Sequence, residues 1–287
     1  MLNVGIIGNT EILEPHVKSF QKNKNINVIG KSSVGTSTQM NGFHFSIPEF
    51  NKVELIERAD IIIIDNSSSI PFDMFQNIIK KSKHIFVVEY LNITIDECAE
   101  LVKLTAESGS VVQVINPIYY TPAIQWLNKN ISMPLFLDIS RFTSETTFKK
   151  TLFPLLLMLK DITGISSKKA GAITFELADK EISYTNIRIE FNDASVVNIN
   201  LETQLSVDKF NIRGFSKNQF VTFNFNEEIF LSNNSTINFS DDFTVNEYDV
   251  FIESIQNQSQ KSNNLEDYYS AIQLVDVIEK KIIQFIA

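Results

Sequence analysis

The chain has 287 residues, of which 44% are hydrophobic and 21% charged, with a net charge of −9 at neutral pH. That is globular composition, and the acidic balance excludes nucleic acid or an anionic membrane as a main partner, since both need a basic surface. A single cysteine, Cys98, excludes an internal disulfide, and its setting in DECAELVKL reads as helix core.

The opening MLNVGIIG lacks the length and basic flank of a signal peptide. The most apolar later run, LFPLLLMLKDI, is broken by Lys160 and Asp161, short of the roughly 20 residues that span a bilayer. A cytoplasmic protein of two domains is expected.

Leu2–Gly8 predicts a strand, and EPHVKSFQK a helix with Pro15 in its first turn. A second strand follows at Ile26–Gly30. Residues 60–65 hold four consecutive isoleucines, the pattern of a strand buried on both faces. Helices are predicted at Phe72–Lys81 and at Thr94–Ser108, the latter closed by Gly109, with strands at His84–Glu89 and Val111–Ile115. This alternation implies a doubly wound parallel sheet with right-handed crossovers, a Rossmann-type domain over 1–118.

After Asn116-Pro117 the pattern changes. Helices are predicted at Pro122–Asn130 and Lys149–Ile162, with a strand at Leu135–Arg141 between them. From about Ala170 to Phe239, alternation in NIRIEF, VVNINLETQL and FVTFNFN predicts strands without intervening helices. A large, mostly antiparallel open sheet should therefore dominate an α+β domain over 119–287. Helices at Val245–Gln258 and Leu265–Phe285 close the chain, the last helix assigned to 265–286.

The order of these elements, with GIIG, KKSKHIFVVE, DECAELVKLTAESGSVVQV, TPAIQW and NIRIEFNDASVVNINLETQ in sequence, resembles the glucose–fructose oxidoreductase / inositol dehydrogenase (Gfo/Idh/MocA) family. From Ser110 onward the likeness is to its UDP-N-acetylglucosamine 3-dehydrogenase-like branch. The resemblance covers nearly the whole chain and implies an NAD(P)-binding domain followed by a substrate and oligomerisation domain.

Mapped onto that pattern, the cofactor positions are Gly8, Asn9, Thr10, Ser33, Ser67 and Glu89, but the motif is degenerate. Of the expected Gly-x-Gly-x-x-Gly turn only Gly8 remains. Thr10 and Leu13 stand where small residues admit a pyrophosphate, and Glu11 adds a negative charge. The acid expected after the second strand is Ser33, with Lys31 two residues earlier. The family's catalytic Lys-Pro is Tyr90-Leu91, and its Asp-x-x-x-His-x-x-Asp helix pattern falls on Lys150, Pro154 and Leu157. Proline and leucine offer no titratable atom to a proton in flight, so only Tyr90 and Lys150 remain as catalytic candidates. His16, His44 and His84 fall on separate elements, and no metal site is expected.

The expected reading is a non-catalytic homologue with no dinucleotide cofactor. It binds a small, nucleotide-sugar-like molecule or serves as partner subunit to an active relative. The alternative is an NAD- or NADP-dependent oxidoreductase acting on a sugar or nucleotide sugar through non-standard residues. A homo-oligomer through the second sheet is expected in either case, from the apolar alternation of VVNINL and FVTFNF.

Overall fold

A computed structural model describes residues 1–33, 47–145, 147–164, 167–176, 183–203, 208–258 and 263–286. In chain order the elements are β1 (Leu2–Gly8), α1 (Thr10–Gln21), β2 (Ile26–Ser33), α2 (Lys52–Arg58), β3 (Ile61–Ile64), α3 (Phe72–Lys80), β4 (His84–Val87), α4 (Ile95–Ser108), β5 (Val112–Val114), α5 (Pro122–Asn130), β6 (Leu135–Phe142) and α6 (Phe148–Thr163). There follow β7 (Ser167–Glu176), β8 (Ser183–Phe191), β9 (Val196–Thr203), β10 (Lys209–Ser216), β11 (Gln219–Asn224), β12 (Ile229–Ser232), β13 (Ser235–Thr236), α7 (Glu247–Gln256), α8 (Leu265–Lys280) and β14 (Ile282–Ile286). None of the described helices is long and apolar enough to cross a membrane.

Two compact units form. The first contains Met1–Asn116 and Asn246–Tyr269, the second Pro117–Val245 and Ser270–Ala287.

The first unit is built on a five-stranded parallel sheet in the order β2-β1-β3-β4-β5. All four isoleucines of β3 are fully buried, because β1 and β4 flank the strand and both of its faces are covered. The helix boundaries follow local chemistry. Asn9 caps α1, accepting from the Glu11 N–H at 2.9 Å. Thr94 and Glu97 form a reciprocal capping box on α4, which Gly109 ends at φ +72°, a left-handed conformation that glycine adopts without steric cost. Helix α1 starts earlier than the first-turn reading of Pro15 implied. Asn9 nucleates it at Thr10, leaving Pro15 inside the helix.

Residues 246–269 belong with this unit and not, as their position in the sequence suggested, with the second domain. Phe251 and Ile252 of α7 are buried in one cluster with Val4, Leu13, Phe20 and Phe86. The Phe251 ring meets Phe86 at 5.2 Å and Phe20 at 6.1 Å, both edge-on. Burying such a side chain is worth about 1.5–3 kcal/mol, enough to recruit the helix to the unit where its apolar face fits.

The second unit is built on a nine-stranded sheet in the order β13-β12-β11-β10-β6-β9-β8-β7-β14. Most pairs are antiparallel; β6–β9 and β7–β14 are parallel. The predicted helix 265–286 ends at Lys280, and Ile282–Ile286 pairs with β7 instead. The run IIQFI is rich in strand-forming residue types, and the edge of β7 offers unpaired backbone groups to it.

One face of this sheet is apolar and buried, with Leu137, Ile139, Ile187, Ile189, Val197, Ile199, Leu201, Val221 and Phe223. The apolar members of VVNINL and FVTFNF that were expected to furnish an oligomer face therefore point mostly into the unit's own core. The other face presents a polar network. The Tyr184 hydroxyl and the Asn186 amide both donate to Asn200 Oδ1, at 2.8 and 2.7 Å, and Asn200 donates to Asp138 at 3.0 Å. Beside this network Phe215 lies tilted against Phe136 and Phe220, with centroids at 6.1 and 4.7 Å.

Candidate functional site

The C-terminal edge of a parallel sheet is where open α/β folds bind ligands, because loops and helix N-termini converge there. In the first unit this edge holds the turn after β1. Gly8 has φ +133°, and a Cβ added to it would lie 2.3 Å from the carboxylate carbon of Asp65. Only glycine allows that approach. Asp65 directly follows β3 and is 4% exposed. It accepts from the Asn9 N–H at 2.7 Å and the Asn66 N–H at 2.8 Å, and from the Ser69 hydroxyl. The first donor of the β1–α1 turn is thus satisfied internally, by a carboxylate.

This geometry tests whether a dinucleotide fits the turn. A pyrophosphate would have to take over the Asn9 N–H from a buried anion and then lie beside that anion. The Glu11 N–H is held by the Asn9 side chain, and Glu11 itself is exposed. The residues present do not suit a pyrophosphate. The obstacle differs from the crowding that the sequence suggested: Leu13 is fully buried within the core and does not narrow the turn.

The other predicted cofactor positions fall on the same sheet edge. Ser33 ends β2 in register with Gly8, and Ser67 lies in the turn after Asp65. The side chains of Thr10, Ser33 and Ser67 lie outside the described residues, as does His44. Lys31 is buried at 7% exposure. Glu89 and Tyr90 are half-buried just beyond β4. Tyr90 packs near Tyr268, with ring centroids 6.4 Å apart, and the Tyr268 hydroxyl donates to the Leu91 carbonyl at 2.8 Å. Burial pushes the Tyr268 phenol well above its usual pKa, so it stays a hydrogen-bond donor. The Glu89-Tyr90-Leu91 turn is thereby anchored through its backbone.

A second buried carboxyl closes the sheet near β5. Glu247 accepts from the Asn116 N–H at 2.7 Å and from Gln113 at 3.3 Å, while Asn116 donates to Asn263 at 3.0 Å. Burial raises its pKa from 4.5 to about 8, against the opposing pull of those hydrogen bonds. Burial has the same effect on Cys98, whose thiol is pushed up to about 12 and is no nucleophile. His16 meets the Tyr248 hydroxyl at 2.8 Å, and the His84 ring accepts from the Val111 N–H at 3.0 Å, so both serve packing. Among the described residues no group of three or more His, Cys, Asp or Glu is placed to hold a metal ion.

The second unit has its own cavity, about 560 Å³, walled by Arg141, Thr143, Ser144, Lys150, Thr151 and Pro154, with Glu145, Pro117 and Ile118. It contains two of the positions singled out in the sequence, Lys150 and Pro154, both on α6. Leu157 is buried at 3% exposure, as its apolar neighbours implied. Another cavity of similar size between α6, β8 and α8 has walls of Leu156, Leu159, Ile189 and Leu274, with Lys160 and Ser270 at its edge. Asp65, Arg141 and Thr151 were missed by sequence reasoning. An acid closing a run of four isoleucines was the available signal for the first; the others had none.

Comparison with known proteins follows the architecture. No protein-family model matches the sequence, and no curated protein matches it. Solved structures do match. UDP-N-acetylglucosamine 3-dehydrogenase GnnA from Acidithiobacillus ferrooxidans superposes with a TM-score of 0.82 at 13% identity, over 98% of this chain and 97% of that one. A dehydrogenase from Chromobacterium violaceum gives 0.80 at 11%, covering 97% and 94%. A 3-ketoreductase from Actinomadura kijaniata, in complex with TDP-benzene and NADP, gives 0.77 at 12%, covering 100% and 99%. A parallel five-stranded sheet joined to a large, mostly antiparallel one, matched over nearly the full length, is the fold of the Gfo/Idh/MocA-type dehydrogenases, and this chain has it.

Proposed function

We propose that this chain keeps the dehydrogenase scaffold without its dinucleotide chemistry, and that it works by holding a small molecule in the cavity of the second unit. The observation that carries this reading is the Asp65 carboxylate seated on the Asn9 N–H, in the turn where a pyrophosphate would have to bind. An anion of this kind repels a second one, and inside a protein the repulsion is weakly screened. The catalytic pattern is consistent with it, since Pro154 and Leu157 carry no group that moves protons. The chain would act as a homo-oligomer through its large sheet or as the companion of an active relative. Support for that lies in the exposed Phe215 beside Phe136 and Phe220 on the sheet's uncovered face.

Calorimetric titration with NADH and NADPH tests the proposal, and no heat of binding is expected at millimolar nucleotide. The second reading, oxidation or reduction of a sugar or nucleotide sugar with NAD or NADP, draws its support from the fold shared with the 3-ketoreductase that holds NADP. Turnover of a UDP-sugar panel, lost in Tyr90→Phe, would establish it in place of the first.

A further inference from the structure

We propose that residues 246–269 are a proton-gated clasp on the first unit. With Glu247 neutral the segment lies closed against β5 and the turn after it; ionisation of Glu247 opens it locally while the five-stranded sheet stays folded. Its attachment, its position in the chain and its strain converge on this.

The segment is appended to the sheet and not woven into it. Among the described residues it supplies none of the five strands, and its backbone meets the sheet at one isolated bridge, between Gln113 and Asn264. It can therefore leave without breaking the strand ladder, as a separately opening part of a fold does. Side chains hold it instead. Phe251 and Ile252 are buried in the core, and the Tyr248 hydroxyl meets His16 at 2.8 Å. Asn23 donates to Asp249 at 3.1 Å, and Tyr268 donates to the Leu91 carbonyl at 2.8 Å.

Glu247 stands where the segment begins, in the first turn of α7, and is 6% exposed. Its Oε1 accepts from both the Asn116 N–H and the Gln113 amide, at 2.7 and 3.3 Å. Asn116 is the last residue before the chain passes into the second unit, and Asn246 the first after its return. One carboxyl thus ties the outgoing chain to the returning one. The groups beside it are the amides of Gln113 and Asn116 and, on its own helix, the Tyr248 phenol. Of the charged and titratable groups further out, His16 on α1 meets Tyr248, Asp249 accepts from Asn23, and Asp267 on α8 accepts from the Asn264 N–H at 3.3 Å. No cation acts on the carboxyl: burial holds its proton up to about 8, opposed only by its two hydrogen bonds. In the neutral acid one oxygen serves both donors. The anion is an enclosed charge without a counter-ion, and reaching water relieves it.

The closed cluster is strained as well as buried. Asn263, which accepts from the Asn116 side chain at 3.0 Å, has φ +65° and is 1% exposed. Its Nδ2 has no hydrogen-bond partner among the described residues. A left-handed residue other than glycine and an unpaired buried amide both cost free energy in the closed form. An arrangement already bearing those costs is one that a single added charge can tip.

Hydrogen exchange of the whole protein at pH 6 and 8.5, read by mass spectrometry and corrected for the intrinsic rise of exchange with pH, tests the clasp. Protection of α7 and of the Asn116 N–H should fall about tenfold or more between the two conditions, because only the closed form keeps the proton. At pH 8.5 the segment should exchange about tenfold or more faster than β3, whose release requires the whole unit to unfold. Glu247→Gln should remove the pH-dependent fall. If that variant does not fold, Gln113→Met takes its place: it deletes a hydrogen bond that favours the anion, so the fall should move to higher pH. One shared protection for the segment and β3 at pH 8.5 overturns the proposal, since the segment would then leave only with the unit. Equal protection of the segment at both pH values overturns it too, as does a fall that the folded variant leaves unchanged.

Discussion

Wild-type protein should lose stability as pH rises from 5 to 8, and Glu247→Gln should abolish that loss. Glu247 is almost fully enclosed, and burial raises its pKa to about 8 from the 4.5 of an ordinary glutamate. Between those values the folded chain holds a proton that the unfolded chain has released. Stability attributable to this carboxyl is therefore complete below pH 4.5, declines through the interval, and is gone above about 8. The slope is at most about 1.4 kcal/mol per pH unit, so the total reaches a few kcal/mol. Against an ordinary domain stability of roughly 5–15 kcal/mol, that is a large fraction. Above the transition Glu247 carries a buried charge supported by the Asn116 N–H and by Gln113. Glutamine can still accept from Asn116 without that charge, so the variant should be the more stable protein at pH 8. Urea unfolding at pH 5, 6.5 and 8 measures this, and parallel curves for the two proteins would refute the assignment.

Asp65→Ala should be strongly destabilising to the first unit, costing about 3 kcal/mol. The carboxylate satisfies two part-buried backbone N–H groups and one buried hydroxyl. Truncation leaves all three donors without an acceptor; the buried Ser69 hydroxyl costs about 1–3 kcal/mol, and the two part-buried N–H groups recover part of their loss from water. Asp65→Asn keeps one acceptor oxygen at similar size and should cost clearly less. Denaturant midpoints of the two variants, compared at constant slope, measure the difference. Equal losses would mean that the charge and not the set of hydrogen bonds holds the turn. Gly8→Ala in the wild-type background should also unfold the turn, because its Cβ would meet the same carboxylate.

Much of this protein is legible in its sequence. Hydrophobic period decided the alternating strands and helices of residues 2–115, since a four-isoleucine strand can only sit between two covered faces. Gly109 and Gly164 marked their helix ends, where a left-handed residue stops the backbone ladder. The loss of titratable groups at Pro154 and Leu157 needed no structure at all. Local pattern failed where two partners compete for one segment. The IIQFI tail continues a helical run in sequence, and only the open edge of β7 made it a strand. Likewise α7 follows the second domain in the chain, but its apolar face fits Phe20 and Phe86 of the first unit.

The sites lay further still from the reach of sequence. Gly8 and Asp65 are 57 positions apart and become partners because β1 and β3 are neighbours in the sheet. Arg141 and Thr151 belong to a strand and a helix whose meeting depends on tertiary packing. What the sequence by itself determined is periodicity, helix ends and missing chemical groups, because those depend on residues close along the chain. Which carboxylate fills a turn, and which buried amide is left unpaired, depends on contacts between distant segments, and only the folded structure decides them.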